Sequence, residues 1–485
     1  MTGRPETHLD IGLLRKWMLF FGGINLLVAP LTPDPVSYGA GACAPVILLS
    51  LVNRLTMPKG IVFFLLWQWA QVFARALQSF VDGESMSLGL YAPNVMRAYW
   101  YSLFSLLTFA VVFRLVLQSI RLPTLSQWEA HERWRQMDLL YLYLGSIVAS
   151  AACTFMGRFV PGLDQPLVAA SQVKAVALFL LCGYTFTTGK GVKILLVAVF
   201  FEILVGFTGF LSDFRAVFVF IAIAALAARI RWTVTASIAG VVWITVLLTL
   251  ALFWTSVKAE YRDYVTGSDE MTQAIRVPLG ERMSYLGDKA LNIGDMKWGD
   301  TAYMLLLRFA YIDIFAQVIG VSEVSPEPTQ MRQWRDALSH VLQPRFLFPD
   351  KPPLSDSEVF MRLTRADPME QVRTGTSISV GYMAENFVDL GFPGMLAGIA
   401  VLGFIFAIIA KYFMQSNLPW LLREGIVMGL AYMTASTGME ISIPKLLGAL
   451  VMYFIVWALM VKYIVPPVMR WLDHRAQVPE HARNA

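Results

Sequence analysis

The stretch "YMAENFVDLGFPGMLAGIAVLGFIFAIIAKYF" (382–413) sets a polar segment directly before a long apolar one. The apolar half is long enough for a helix that crosses about 30 Å of hydrocarbon. The polar half carries Glu385 and Asp389, which are four residues apart and would share one side of a helix. The "GFPG" between the halves predicts a break. We therefore predict a helix over about 376–390, a break, and a transmembrane span over about 391–412.

Apolar blocks of this kind recur along the 485-residue chain, which is 56% hydrophobic and 15% charged, with a mean hydropathy of +0.57. A soluble domain is closer to half apolar and a quarter charged. The blocks predict an all-α polytopic membrane protein with about twelve transmembrane helices and no cleavable signal peptide. The predicted spans are 17–32, 37–53, 60–80, 98–118, 138–157, 166–186, 193–211, 214–229, 233–254, 391–412, 424–441 and 446–465.

The distribution of lysine and arginine predicts the orientation of these spans. With the N-terminus in the cytoplasm, most basic residues of the short loops fall on the cytoplasmic side, as the positive-inside rule requires. The net charge of +5 is explained in the same way, without nucleic-acid binding. We predict cytoplasmic termini and three regions: a bundle of about nine helices over 1–254, a large periplasmic loop over 255–390, and three helices with a tail over 391–485.

The predicted loop is much longer than a connection needs, and loops of this length are usually functional. Its segment "TAYMLLLRFAYIDIFAQVIGV" (301–321) predicts a helix that lies along the membrane or docks on the bundle. The segment "MRQWRDALSHVL" (331–342) has the spacing of a short amphipathic helix. The proline-rich "QPRFLFPDKPPLSD" (343–356) predicts an irregular loop. The loop is therefore expected to be folded and largely helical.

Basic side chains at the outer face are the candidate ligand-binding residues. A charge in or near hydrocarbon costs several kcal/mol unless it is paired or solvated, and guanidinium groups suit phosphate oxygens. For the residues in spans, the alternative is snorkelling or an internal ion pair with Glu202 or Asp213. For the loop residues, the alternative is a solvated surface. The candidates are Arg75, Lys174, Arg215, Arg308, Arg345 and Lys351.

Two further residues are candidates for acid–base chemistry. His340 is the one histidine of the outer loop and could be a general base or a surface residue. Glu385 could deprotonate a hydroxyl or anchor an arginine, whereas Asp389 is more typical of a helix end or a solvated face. The sequence has no HExxH or clustered Cys and His, no P-loop and no GxSxG, so we expect no metal and no cofactor.

Several of these motifs resemble the Wzy-type polymerases of oligosaccharide repeat units, which are related to the O-antigen ligases. "QPRFLFPDKPPLSDSE" resembles the proline-rich loop of that family. "YMAENFVDLGFPG" resembles the acid-bearing helix that follows it, with Glu385 on the family's acid, although Ala384 departs from the usual glycine. "SDFRAVF" and "LLLRFAYIDIF" resemble the segments that carry two of the family's arginines, here Arg215 and Arg308.

The resemblance implies a GT-C-like, metal-independent glycosyltransferase in the bacterial inner membrane. Its substrates would be undecaprenyl-diphosphate-linked oligosaccharides, polymerised at the periplasmic face into an O-antigen or exopolysaccharide, with a chain-length regulator and a flippase as partners. One alternative is a transporter or flippase, in which Arg75, Lys174 and Glu202 would line a polar path. Another is a scaffold for polysaccharide export. Transporters usually show internal repeats, and no clear repeat is present in this sequence.

Overall fold

The regular secondary structure of the protein is helical throughout the residues that the computed structural model describes. The one β-type pairing within that part is an isolated bridge between His8 and Arg231. The described residues are 7–89, 91, 93–157, 159–160, 162–209, 213–267, 276–343, 348, 350–351, 354–366 and 378–477.

The N-terminal half of the protein forms a run of helices joined by short connections. Asp10 and Thr233 begin two of these helices by accepting a hydrogen bond from the backbone N–H three residues further on. Gly83 and Gly189 end two others in the left-handed conformation that glycine adopts without strain. The helices are α1 Ile11–Val28, α2 Pro35–Val52, α3 Lys59–Asp82, α4 Asn94–Leu117, α5 Leu125–Trp128, α6 Gln136–Gly157, α7 Asp164–Ser171, α8 Val173–Thr188, α9 Val192–Phe207, α10 Arg215–Ala227 and α11 Val234–Thr266.

The second half contains a group of short helices and then the C-terminal spans. The short helices are α12 Leu279–Leu291, α13 Trp298–Phe309, α14 Ile312–Val324, α15 Arg332–Leu342 and α16 Asp356–Thr364. The C-terminal helices are α17 Tyr382–Met414, α18 Trp420–Ala435, α19 Ile443–Leu459 and α20 Val465–Gln477, and a π-helical turn joins the last two.

Each of the twelve predicted spans overlaps a helix, but the lengths differ, and the span 166–186 covers both α7 and α8. In the described part of the chain, nine helices or joined helices are long and apolar enough to cross a membrane, and the bent pair α13–α14 would be a tenth. Three predicted spans correspond to shorter helices, namely α9, α10 and α18. The protein is therefore a multi-pass helical membrane protein, and the count of twelve stays a prediction.

Helix α11 is longer than the sequence predicted. It continues for 33 residues to Thr266, so the predicted region boundary at residue 254 falls inside a helix. The apolar pattern ends near that point because the last three turns are polar, not because the helix ends. These turns extend beyond the apolar part of α11 and carry Lys258 and Arg262. Lys258, Arg262 and helices α12–α16 lie at one end of the bundle. We call this end the loop end.

The stretch 382–413 forms two helical parts with a break, as predicted. The first part begins at Tyr382 rather than near residue 376, and 371–377 lie outside the described residues. The break occurs at Gly391, where φ is +60°, and the following Phe392–Pro393 peptide bond is cis. Phe392 stacks on Tyr101 of α4 with ring centroids 4.1 Å apart. The break therefore redirects the chain while an aromatic contact holds it against the bundle.

The predicted helix over 301–321 is two helices, α13 and α14, which meet at an angle of 44°. The amphipathic segment 331–342 forms α15 as predicted, and it packs on α19. The predicted irregular loop 343–356 is described only in part, and α16 begins at its last residue.

The centre of the bundle is a cluster of phenylalanines from α3, α4 and α17. Phe64 contacts Phe109 and Phe406 with ring centroids 5.1 Å apart in both cases, and Phe113 completes the group. Aromatic pairs in this range contribute about 0.5–1.5 kcal/mol each beyond the area that they bury. In contrast, very few residues of the apolar part of α11 are buried, as expected of a helix that faces lipid. The central helices thus form a fixed framework, and α11 lies at its edge.

Candidate functional site

Helix α3 links three distant segments at the loop end through one of its faces. Trp67, Gln71 and Arg75 are spaced by four residues, so they lie along the same side of α3. The guanidinium of Arg215 lies 5.7 Å from the centroid of the Trp67 ring. Gln71 Nε2 lies 3.5 Å from Glu440 Oε1, and Arg75 Nε lies 2.8 Å from an oxygen of Asp313. This face of α3 therefore forms one wall of the site.

Arg215 is the first residue of α10, and its side chain is exposed. Besides its contact with Trp67, it lies within electrostatic range of the hydroxyl of Tyr432, which donates to Asp213 over 2.6 Å. No carboxylate among the described residues lies within ion-pair distance of Arg215. The guanidinium thus lies against an aromatic ring, and no direct ion pair with a described residue neutralises its charge.

Helices α11 and α13 bring further positive charge to the same region. Lys258 and Arg262 are one turn apart on α11, and Arg308 lies in the last turn of α13. Lys258 lies within electrostatic range of both arginines. In the described part of the chain, neither Lys258 nor Arg308 forms an ion pair or a side-chain hydrogen bond. Like charges held together repel one another, so this arrangement favours an anion between them.

Glu440 is the acid within reach of these cations. It lies in the short turn Gly438–Glu440 between α18 and α19. Burial raises the pKa of the Glu440 carboxyl above its usual value, and the charges of Arg215 and Arg308 partly oppose this rise. A carboxylate with a raised pKa is a better proton acceptor than an exposed one. We call Arg215, Lys258, Arg262, Arg308 and Glu440 the cationic cleft.

The turn that carries Glu440 is held by Gln71 and by two glycines. The Gln71 side-chain oxygen accepts the backbone N–H of Met439 over 2.8 Å, and its amide nitrogen faces Glu440. Gly438 has a φ of +68°, and a Cβ there would lie 1.7 Å from the Gln71 oxygen. Gly381 has a φ of +83°, and a Cβ there would lie 2.1 Å from the Met439 carbonyl. The close approach requires glycine at both positions.

Glu385, predicted as a catalytic residue, holds this turn from its other side. Its side chain is buried, and Oε2 accepts the backbone N–H of Ile443 over 2.6 Å at the start of α19. The N–H of Tyr382 also donates to the Ile441 carbonyl over 2.7 Å. A carboxylate that receives a first-turn N–H caps the helix and complements its dipole. Glu385 thus holds the segment that carries Glu440, and its catalytic role stays a prediction.

Asp389 caps a different helix. Its two oxygens accept the backbone N–H groups of Gln333 over 3.2 Å and Trp334 over 2.9 Å in the first turn of α15. The Trp334 indole N–H donates to Asn386 over 2.9 Å and adds a second link between α15 and α17. The helix-end interpretation of Asp389 is thus confirmed, although the helix that it caps is not its own.

His340 and Lys351, both described, are not among the groups that act on Glu440. His340 is half-buried on α15, the helix that lies against α19. Lys351 donates to the carbonyls of His340 and Gln343 and so closes the C-terminal end of α15. Arg345 lies outside the described residues. In the described part of the chain, the cations whose charges act on Glu440 are Arg215 and Arg308.

Two of the three basic candidates within spans, Lys174 and Arg75, form ion pairs. Lys174 lies 2.8 Å from Glu202, which also accepts the hydroxyl of Tyr143 over 2.5 Å. Arg75 lies 2.8 Å from Asp313 of α14. The alternative of an internal ion pair therefore describes both residues. Glu202, which the sequence suggested as a partner, does pair with Lys174. For Arg75 the suggested partners were wrong, because the loop segment that carries Asp313 folds back onto α3.

Sequence reasoning missed Lys258, Arg262, Glu440, Trp67 and Tyr432. Lys258 and Arg262 could have been found from the sequence, since they are four residues apart and share one face if the ninth predicted span continues as a helix. Glu440 could also have been found, because a charge at a span end is a functional candidate by default. The two aromatic residues could not have been found in this way, since both lie within ordinary apolar spans.

A scan of known protein families, a search of curated proteins and a search of solved structures each returned no match for this chain. In the described residues, no group of three His, Cys, Asp or Glu side chains is placed to hold a metal ion. The features that bear on function are therefore the geometry of the cationic cleft and the sequence motifs.

Proposed function

We propose that this protein is a membrane-embedded glycosyltransferase that polymerises lipid-diphosphate-linked oligosaccharide repeat units in the cationic cleft. The observation that carries the proposal is that Arg215, Lys258 and Arg308 converge from three separate segments without a direct carboxylate partner. A diphosphate leaving group needs such positive charge where negative charge develops in the transition state. The sequence resemblance adds undecaprenyl as the lipid and the bacterial inner membrane as the location.

The chemistry follows from this arrangement. A hydroxyl of the acceptor saccharide attacks the anomeric carbon of the donor, and the bond between that carbon and the phosphate oxygen breaks. The electron pair leaves with the lipid diphosphate, whose oxygens are bound by Arg215, Lys258 and Arg308. The hydroxyl proton passes to the Glu440 carboxylate, which burial makes more basic. Glu385 and Gln71 contribute by fixing the turn that carries this carboxylate.

The position of the cleft also suits a lipid-linked substrate. Lys258 and Arg262 lie on the same helix as the little-buried apolar part of α11, after the buried Phe253 and Trp254, so a bound diphosphate would lie within a few turns of a lipid-facing surface. The polyprenyl chain could then stay in the bilayer while the saccharide extends toward α12–α16. This is the arrangement that an enzyme needs when its substrate is half lipid and half sugar.

Substitution of one cation tests the proposal. Arg308→Ala should lower the rate of polymer formation by about 10- to 100-fold, because a hydrogen bond to a charged group contributes roughly 1.5–3 kcal/mol. The measurement is polymer formation by the purified protein in lipid nanodiscs, supplied with lipid-linked repeat units. Arg335→Ala is the matched control, because Arg335 is an exposed arginine of α15 outside the cleft. Equal rates for both variants and the unaltered protein would contradict the proposal.

A transporter is the second candidate, and one observation favours it. A cavity of about 350 Å³ lies inside the bundle beside the cleft and is lined by Lys174, Glu202, Asp213 and Tyr432. Deletion of the gene separates the two functions. Loss of a polymerase leaves single repeat units on the cell surface, whereas loss of a flippase leaves lipid-linked repeat units on the cytoplasmic side.

A further inference from the structure

A large open groove lies between α11, α12 and α13, next to the cationic cleft. Its volume is about 880 Å³, near the upper end of the roughly 300–1,000 Å³ that is usual for ligand sites. Polar and aromatic side chains from all three helices line it. These side chains include Glu260, Tyr285, Asp288, Lys297, Asp300 and Thr301.

The groove and the cleft share two helices. On α13, Thr301 and Met304 line the groove, and Arg308 follows them at spacings of seven and four residues, so all three lie on one face. On α11, Thr255 lines the groove and Lys258 follows three residues later. A ligand held in the groove would therefore continue along both helices toward the cations that we assign to the diphosphate.

Two carboxylates in the groove have no protein partner. Asp288 and Asp300 are exposed, and neither forms an ion pair or a side-chain hydrogen bond within the described residues. The same is true of Lys297. Open carboxylates accept hydrogen bonds from hydroxyl groups, and these bonds are stronger than those between neutral groups. The described acids of the groove do not form a group that could hold a metal ion, which leaves hydroxyl groups as the better-matched ligand.

The aromatic side of the groove is fixed in place. The Tyr285 ring stacks on Tyr264 of α11 with centroids 4.6 Å apart and an angle of 13° between the planes. Its hydroxyl faces Glu260, which forms an ion pair with Lys289. An ordered aromatic ring beside open hydrogen-bond acceptors offers both apolar and polar contacts, as a sugar with its C–H face and hydroxyl edge requires.

We infer that this groove binds the saccharide part of the lipid-linked substrate, in the form of a hydroxyl-rich oligosaccharide that carries no negative charge at Asp288 and Asp300. The inference rests on the proposed function, because it takes its ligand from the substrate assigned to the cationic cleft. It adds a second subsite. The groove recognises the sugar units, and the cleft recognises the diphosphate. An acidic sugar at these positions would meet like charge.

The test uses the full-length protein in nanodiscs and short neutral oligosaccharides, prepared by mild hydrolysis of the surface polysaccharide of the source cells. Binding is measured by saturation-transfer NMR and calorimetry. The double variant Asp288→Ala, Asp300→Ala should bind these oligosaccharides about tenfold more weakly, the loss expected for one charge-assisted hydrogen bond. Asp263→Ala is the matched control, because Asp263 is an exposed acid in the last turn of α11 that does not line the groove.

Two outcomes would overturn the inference: no binding of the oligosaccharides to the unaltered protein, or equal binding by the double variant. Binding of undecaprenyl diphosphate, measured on the same preparations, separates this failure from a failure of the proposed function. The double variant should retain lipid diphosphate binding, and Arg308→Ala should weaken it by at least about tenfold while it keeps oligosaccharide binding. If the unaltered protein binds oligosaccharide but not lipid diphosphate, the proposed function fails and the groove remains a saccharide site.

Discussion

Glu440→Gln and Glu385→Gln should have very different effects, although only Glu385 lies in the motif that the sequence singled out. Glu440 is the acid that faces the cations of the cleft, so its replacement removes the proton acceptor. Glu385 accepts the N–H of Ile443, and a glutamine oxygen can accept the same bond. Both substitutions replace a carboxylate with an amide. A different effect on activity therefore distinguishes a catalytic residue from a positioning residue.

The size of the effect follows from the assigned roles. General base catalysis usually contributes about 10²- to 10⁴-fold, so Glu440→Gln should lower kcat by at least about 100-fold. It should not weaken binding of the donor, because the loss of a negative charge leaves Arg215 and Arg308 more attractive to a diphosphate. Glu385→Gln should retain kcat within about threefold, since the cap on α19 is preserved.

The pH dependence gives a second measurement of the same assignment. The base must be deprotonated, so activity should fall as the pH drops through the pKa of Glu440, which burial places above its usual value of 4.5. Arg308→Ala removes one of the charges that oppose this rise, so the acidic limb of the profile should move to higher pH. In Glu440→Gln this limb should be absent from the residual activity.

The assay is polymer formation in nanodiscs with a fluorescent lipid-linked repeat unit, measured from about pH 4 to pH 9, with folding checked by size-exclusion chromatography. If Glu440→Gln retains kcat within about threefold and the same acidic limb while Glu385→Gln is inactive but folded, Glu385 is the base. That result would refute the assignment drawn from the cleft.

Two further substitutions test how the site is held. Glu385→Ala should lower the free energy of unfolding by about 1–3 kcal/mol, because the buried N–H of Ile443 loses its acceptor, and thermal unfolding in nanodiscs checks this. A change below about 0.5 kcal/mol would contradict the capping role. Gly381→Ala should lower activity together with stability, because its Cβ would meet the Met439 carbonyl and displace the turn with Glu440. Full activity with an unchanged unfolding temperature would show that the turn does not need this approach.

The sequence predicted helix positions well because span composition is a local property. All twelve predicted spans overlap helices, and the break after Asp389 appears where "GFPG" indicated it. The errors arose where composition stops being informative. The apolar pattern ends at residue 254, but the helical pattern of α11 does not, and so Lys258 was assigned to a loop.

The site was predicted only in part for a different reason. Arg215 and Arg308 were identified as single residues, and the structure brings both into reach of Glu440. The role of an acid depends on which helix it contacts, and that contact is not encoded locally. Glu385 and Asp389 both cap helices distant in sequence, which no spacing rule could show.

The central claim is that the cationic cleft transfers a saccharide from a lipid diphosphate, and the release of that diphosphate tests it most directly. The purified protein in nanodiscs would be supplied with undecaprenyl-diphosphate-linked repeat units, and both the linkages formed and the free lipid diphosphate would be counted by mass spectrometry. We predict one molecule of lipid diphosphate released for each new linkage, with both products lost together in Glu440→Gln. Folded protein that binds the substrate but forms no linkage and releases no lipid diphosphate would contradict the account.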